Sequence, residues 1–224
     1  MTFSIIGRCR DTGMMGIAIS SSSPAVAARC AHARAGAGVV ATQNITDPSL
    51  GPKGLDLMAS GLSAEEALAA LLKDYPHADW RQVMLLDAAG RTAQHSGSQT
   101  LGVNNLAEGI DCAAGGNLLA NPFVPKRMVA AFEEAPGPLG DRLLAAMKAA
   151  LAAGGEAGPV HSAGMLIVRE VSWPVADLRV DWAEEDPIGE LETLWGIYKP
   201  QLEDYVTRAL NPSGSPSYGV PGDE

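Results

Sequence analysis

Cysteine is scarce. There are 3 in a chain of 224 residues: Cys9, Cys30 and Cys112. An odd, sparse set makes no disulfide framework and fits a reducing cytoplasm, which is the expected location. Positive charge is short as well. The chain has 16 Lys and Arg against 26 Asp and Glu, a formal net charge of −10, and an isoelectric point near 4.8. A surface that acidic repels phosphate backbones and anionic lipid, so neither nucleic acid nor a membrane is an expected partner. No apolar run approaches the length of a membrane span. The opening Met1-Thr2-Phe3-Ser4-Ile5-Ile6 lacks the basic start and long apolar stretch of a secretory signal.

Familiar chemical motifs are missing too. The sequence has no P-loop, no glycine-rich dinucleotide turn after a strand, no HExxH and no CxxC. His32, His77, His95 and His161 are far apart, and Cys30-Ala31-His32 has no second pair to complete four ligands. No metal site and no cofactor are therefore expected. Ser21, Ser22 and Ser23 lie in no Gly-x-Ser-x-Gly elbow and read as a solvated loop.

What is present is a strand-rich first half. Residues 3–10 and 15–20 are apolar runs around Asp11-Thr12-Gly13, a hairpin signal. Residues 36–43 read as a third strand, buried on both faces. A glycine–proline loop over 48–54 leads into a short helix over 55–61. Ser63 with Glu66 is a capping box, opening a helix that buries Leu68, Leu71 and Leu72 and ends before Pro76. Residues 82–87 and 91–95 form a second hairpin, and 109–114 a further strand closed by Gly115-Gly116-Asn117. Helices are expected over 122–134 and 139–152, and strands over 162–168 and 175–180. The last helix starts with Asp186 as N-cap and Pro187 as first residue, and Pro200 breaks or kinks it. Hairpins separated by helix pairs do not suit a doubly wound parallel sheet. They suit stacked antiparallel sheets with helices outside. The expected organisation is one domain over 1–210 and a flexible tail over 211–224, rich in Pro, Gly and Ser.

Residue 2 is a threonine, small enough for the initiator methionine to be removed. Removal would place a free α-amine, with an ordinary pKa of about 7.7–8, beside a hydroxyl on one residue. Such an amine can act as base for its own hydroxyl without a histidine.

A nucleophile opening strand one, a hairpin, a serine cluster ending strand two and a buried third strand resemble the N-terminal nucleophile (Ntn) hydrolases, including proteasome-type subunits. More narrowly, the chain resembles the bacterial and archaeal domain of unknown function 1028. The stretches that carry this are Met1-Thr2-Phe3-Ser4-Ile5, Ala41-Thr42-Gln43, Gly51-Pro52-Lys53-Gly54-Leu55, Arg81-Gln82-Val83, Gly116-Asn117-Leu118-Leu119, Asp177-Leu178-Arg179-Val180-Asp181 and Asp186-Pro187-Ile188. The resemblance implies an α+β fold, a four-layer αββα sandwich of two antiparallel sheets with helices on both outer faces. It implies no established reaction. Thr2 stands at the nucleophile position. Where proteasome-type relatives carry an acidic residue ending strand two and a lysine on the next strand, this chain has Ser20 to Ser22 and Arg34.

The function expected is an Ntn-type amidohydrolase acting on a small amide or related C–N bond. The alternative is a catalytically silent protein of the same fold that binds a ligand or serves in assembly. A small-molecule substrate and further copies of the chain are the expected partners. Thr2 is the expected catalytic residue. Ser22, Arg34, Gln43, Asn44, Arg81, His95 and Asn117 are the substrate or oxyanion residues. Each of these has a plainer reading beside it. Arg34 is equally a surface residue, Gln43 and Asn44 are amides suited to oxyanions or to loop capping, and Arg81 is a carboxylate ligand or a strand-end charge. His95 is a cleft residue or a hydrogen-bonded structural one. Gly115-Gly116 before Asn117 permits either close ligand approach or a sharp turn.

Overall fold

A computed structural model describes residues 1–222. The first hairpin joins β1 (Thr2–Arg8) to β2 (Met15–Ser21) through a turn in which Gly13 takes φ +69°, a left-handed value that favours glycine. A short helix, α1 (Val26–Cys30), and a strand, β3 (Ala31–Arg34), follow, and the sequence reading had not separated them from the serine loop. β3 pairs with β4 (Gly38–Asn44), the expected third strand.

Helix α2 (Leu50–Ala59) begins earlier than the glycine–proline composition implies. Gly51 is helical, and a Cβ there would lie 2.2 Å from the His32 ring, so the glycine serves close packing of α2 on β3, not a loop. Helix α3 (Ala64–Leu72) carries both halves of the capping box, with the Glu66 amide donating to Ser63 Oγ at 3.2 Å and the Ser63 amide donating to Glu66 Oε2 at 2.8 Å. The second hairpin is β5 (Arg81–Asp87) with β6 (Thr92–Ser96). β7 (Asn105–Gly109) went unforeseen, because Asn-Leu-Ala-Glu-Gly shows little β-propensity; it is the edge partner of β8 (Cys112–Asn117). Helices α4 (Val124–Glu134) and α5 (Leu139–Ala152) precede β9 (Ser162–Val168) and β10 (Ala176–Val180). Helix α6 (Pro187–Tyr198) starts as expected, with the Gly189 amide donating to Asp186 Oδ1 at 2.9 Å. Pro200 sits in a single 3-10 turn before α7 (Leu202–Leu210).

All strand pairs are antiparallel. One sheet has the order β10-β9-β2-β1-β8-β7 and the other β3-β4-β5-β6. The sheets pack face to face through Ile6, Ile17, Val39, Met84 and Leu86. Period-two alternation turns Phe3 and Ile5 the other way, into a core shared with Phe132, Met147 and Trp195 of α4, α5 and α6. On the far side, Val40 and Leu85 meet Leu55 and Leu68 of α2 and α3. The result is the αββα sandwich, with β1 near the middle of the larger sheet. Each fully buried Ile, Leu or Phe in these three layers contributes about 1.5–3 kcal/mol.

In the tail, Pro212–Gly214 forms a 3-10 turn, and the Arg208 guanidinium lies 3.8 Å from the centre of the Tyr218 ring. Residues 223–224 of the expected flexible segment lie outside the described residues. No helix among the described residues is long and apolar enough to cross a membrane.

Candidate active site

Polarity in the space between the sheets is graded along the strands. On β1 the inward positions run from Ile6 to Ser4 to Thr2, and on β2 from Ile17 to Ile19 to Ser21. On β8 they run from Ala113 to Gly115 to Asn117. On β4 they run from Ala41 to Gln43, and on β5 from Met84 to Gln82. Five strands thus bring hydroxyls and amides to the same end of the sandwich. Thr2 is 5% exposed, Asn117 1%, and Ser4, Ser21, Gln43 and Gln82 are fully buried. Polar groups this deep must satisfy one another, and they do. Ser4 Oγ donates to Gln43 Oε1 at 2.7 Å, and Gln43 Nε2 donates to Gln82 Oε1 at 2.8 Å. Asn117 Nδ2 donates to the same Gln82 oxygen at 3.2 Å, while Gln82 Nε2 donates to the Gly116 carbonyl at 3.0 Å and to Ser96 Oγ at 3.2 Å. Gln82 is the hub of this network.

Thr2 stands directly opposite Asn117 in the β1–β8 register. Its hydroxyl donates to the carbonyl of Met1 and lies 3.4 Å from Ser21 Oγ. Ser21 Oγ accepts the Ser23 amide at 3.1 Å and donates to that same Met1 carbonyl. Ser23 Oγ lies 2.9 Å from Ser21 Oγ as well. Arg29 of α1 reaches this corner, with Nη2 donating to Ser23 Oγ at 3.2 Å.

Glu156 completes the site from the loop between α5 and β9. Its loop is tied to the end of β8 by the Ala120 amide on the Gly155 carbonyl at 3.0 Å and the Ala157 amide on the Leu118 carbonyl at 2.9 Å. The carboxylate is 4% exposed and accepts the Ser22 amide at 3.2 and 3.3 Å. Among the described residues it makes no ion pair within 4 Å. Burial raises its pKa to about 7, against the opposing pull of the Met1 ammonium and the Ser22 hydrogen bonds.

Among the residues singled out from sequence, the fold gathers Thr2, Gln43, Asn117 and the Ser22 backbone at this end. The others lie elsewhere. Arg34 is at the opposite end of β3, across from Gly38, and pairs with Asp56 at 2.7 Å. Asn44, Arg81 and His95 belong to the outer side of the smaller sheet. Asn44 caps the loop, donating to the Trp80 carbonyl at 2.8 Å and accepting the Leu101 amide at 3.2 Å. Arg81 bonds Tyr75 Oη at 3.1 Å and the Ile45 carbonyl. His95 Nε2 meets the Ala78 carbonyl at 2.9 Å. Gly115 and Gly116 form no turn: both are in β8, where a Cβ would lie 2.6 Å from Leu106 and from Leu119 respectively. The chain leaves β8 at Leu118, with φ +50°.

Ser4, Ser21, Gln82 and Glu156 were not expected here; Ser21 reads from sequence as part of a solvated loop but is the fully buried last residue of β2. For the first three a signal existed, since each continues an inward strand face by two residues from an apolar neighbour. Glu156 carries no such mark in Gly154-Gly155-Glu156-Ala157-Gly158. A separate surface cavity of about 610 Å³ between α4 and α5, lined by Phe123, Arg127 and Glu134, includes none of these residues. Among the described residues no group of three or more His, Cys, Asp or Glu is arranged to hold a metal.

A family model described as "Family of unknown function (DUF1028)" matches residues 2–191. Protein SPO2555 from Silicibacter pomeroyi, a crystal structure described under the same family, superposes with a TM-score of 0.84 at 28% sequence identity, over 91% of this chain and 89% of that one. Anbu, an ancestral beta-subunit from Yersinia bercovieri, aligns over 92% of this chain and 97% of its own at 11% identity. Its TM-score of 0.38 is too low to carry an argument. No curated protein matches.

Proposed function

The chain belongs to the DUF1028 family, and from that membership and the buried polar end of the sandwich we propose an Ntn-type amidohydrolase that uses Thr2 as its nucleophile after Met1 is removed. The observation that carries the reading is the position of the Thr2 hydroxyl. It is held on the carbonyl of the preceding residue, and the Ser21 hydroxyl donates to the same oxygen. A hydroxyl donor held on a carbonyl oxygen beside Thr2 Oγ is one element acyl transfer needs, an oxyanion partner within reach of the nucleophile.

In this scheme the freed α-amine of Thr2 takes the proton of its own Oγ, and Oγ attacks the carbonyl carbon of a small amide. The Ser21 hydroxyl steadies the developing oxyanion, with Asn117 the nearest amide across the register. The C–N bond breaks, the proton passes from the Thr2 amine to the leaving amine, and an ester on Thr2 Oγ remains. Water then attacks the ester, giving the acid and restoring the hydroxyl. Gln82 holds the Gln43 and Asn117 amides in place for this work.

The second reading, a silent binding or assembly protein, is supported by the same network, since Gln43 spends both its oxygen and its nitrogen on other side chains. The two readings separate in one experiment. Intact mass first establishes that Met1 is absent. Small amides and ureido compounds are then screened by release of ammonia or amine. Thr2→Ala is expected to abolish turnover with the fold intact, and Thr2→Ser to retain part of it. Nucleophile loss lowers rates by several orders of magnitude, roughly 10⁶-fold in the best-measured case. Full activity in Thr2→Ala would end the Ntn reading.

A further inference from the structure

Met1 lies across the site in a fixed pose. Its carbonyl oxygen receives the Thr2 and Ser21 hydroxyls. The end of its side chain runs to Gly158, where a Cβ would come 3.2 Å from Met1 Cε and 3.8 Å from Sδ. Its ammonium is near enough to Glu156 to favour the ionised carboxylate, ahead of the Ser22 hydrogen bonds. The residue is itself half-buried at the mouth of the site.

This pose has a chemical meaning. The Met1 carbonyl carbon is bonded to the Thr2 nitrogen and stands beside Thr2 Oγ. An acyl group being transferred to Oγ must occupy nearly the same volume, with its oxygen toward the Ser21 hydroxyl. Once Met1 is gone, that volume has three defined walls: a hydroxyl donor for the oxygen, open space against Gly158 for a side chain, and a buried carboxylate. Glu156 accepts the Ser22 amide and, among the described residues, makes no ion pair within 4 Å. An unpaired carboxylate at 4% exposure is costly unless a positive group joins it. The positive group that Met1 supplies is an α-ammonium one carbon from the carbonyl.

We infer that the volume vacated by Met1 is the acyl pocket and that the substrates are α-aminoacyl amides, whose free α-ammonium is received by Glu156. This rests on the Thr2 reading above. The step balances as written there: the amide C–N bond breaks, the acyl–Oγ ester forms, and water releases a free α-amino acid and the amine. A glycine at 158 leaves room for an unbranched side chain of methionine size.

The test uses Met1-free protein with two probes, methioninamide and N-acetylmethioninamide. Turnover of methioninamide is expected to exceed that of the acetylated probe by at least roughly 10-fold in kcat/KM, since acetylation removes the charge. Glu156→Gln is expected to lower kcat/KM for methioninamide roughly 10- to 100-fold, the range for one hydrogen bond to a charged group, and so to narrow its lead over the acetylated probe. Glu156→Asp, which keeps the charge, guards against loss through misfolding and should fall between. Equal or better turnover of the acetylated probe overturns the inference while leaving Thr2 as nucleophile. Binding of methioninamide by calorimetry separates the two claims. Binding that depends on Glu156, with no Thr2-dependent turnover, supports the pocket and overturns the Ntn reading. Absence of both binding and turnover of methioninamide overturns the inference.

Discussion

Glu156 sets a pH dependence of stability that can be worked out in advance. In the chain retaining Met1, burial lifts this carboxyl from its ordinary 4.5 to about 7. Each factor of ten in proton affinity is worth about 1.36 kcal/mol, so the ionised group costs the fold about 3 kcal/mol relative to the unfolded chain. At 4% exposure little of that is lost to solvent screening. The sign follows from proton counting. Between 4.5 and about 7 the folded chain binds more protons at this site than the unfolded chain does, so stability falls as pH rises. The contribution is whole below 4.5 and gone above about 7. Glu156→Gln keeps the shape and cannot ionise. Urea melts from about pH 4 to 8.5 should therefore show the two proteins diverging, with the variant ahead by about 3 kcal/mol at the alkaline end. At this chain length that is roughly 6–12 °C in Tm. The difference between the two curves isolates Glu156 from His32 and every other titrating group. Parallel curves across the whole range would refute the reasoning.

The buried amide hub gives a second test: Gln82→Ala strands the Gln43 and Asn117 side-chain amides, and the urea midpoint should report a loss of about 2–4 kcal/mol. On any substrate found in the proposed amide screen, Asn117→Ala should lower kcat about ten- to a thousandfold if its amide serves the oxyanion. Gly51→Ala drives a methyl into the His32 ring and should cost about 1–3 kcal/mol by thermal melting, despite alanine's better helix propensity. Removing 212–224 should move Tm by less than about 2 °C, because the described residues of the segment are almost all exposed, although Arg208 stacks on Tyr218 and donates to the Pro216 and Ser217 carbonyls.

Local chemistry was enough to determine most of the elements. The Ser63 capping box, the Asp186-Pro187 helix start, the Asp11-Thr12-Gly13 turn and the apolar runs over 162–168 and 139–152 are decided by neighbours a few residues away, and a sequence displays those directly. The stacking of two sheets follows from hairpins separated by helix pairs. Thr2 could be singled out from the sequence because the chemistry proposed for it depends on its position in the chain. Contacts between distant segments were not legible. Gly51 and Gly54 look like loop residues until His32 and Val40 are found against them. Asn44, Arg81 and His95 sit at strand ends that look equivalent to Gln43 and Gln82, but strand residues alternate between faces. Only the sandwich decides which face looks inward. Arg34 lies on the right strand at the wrong end, a matter of register. Glu156 is the extreme case. Nothing in its loop distinguishes it from a solvated surface glutamate. Its burial, its single amide partner and its place beside Met1 arise only when a loop after α5 closes over the first residue of β1, more than 150 positions away.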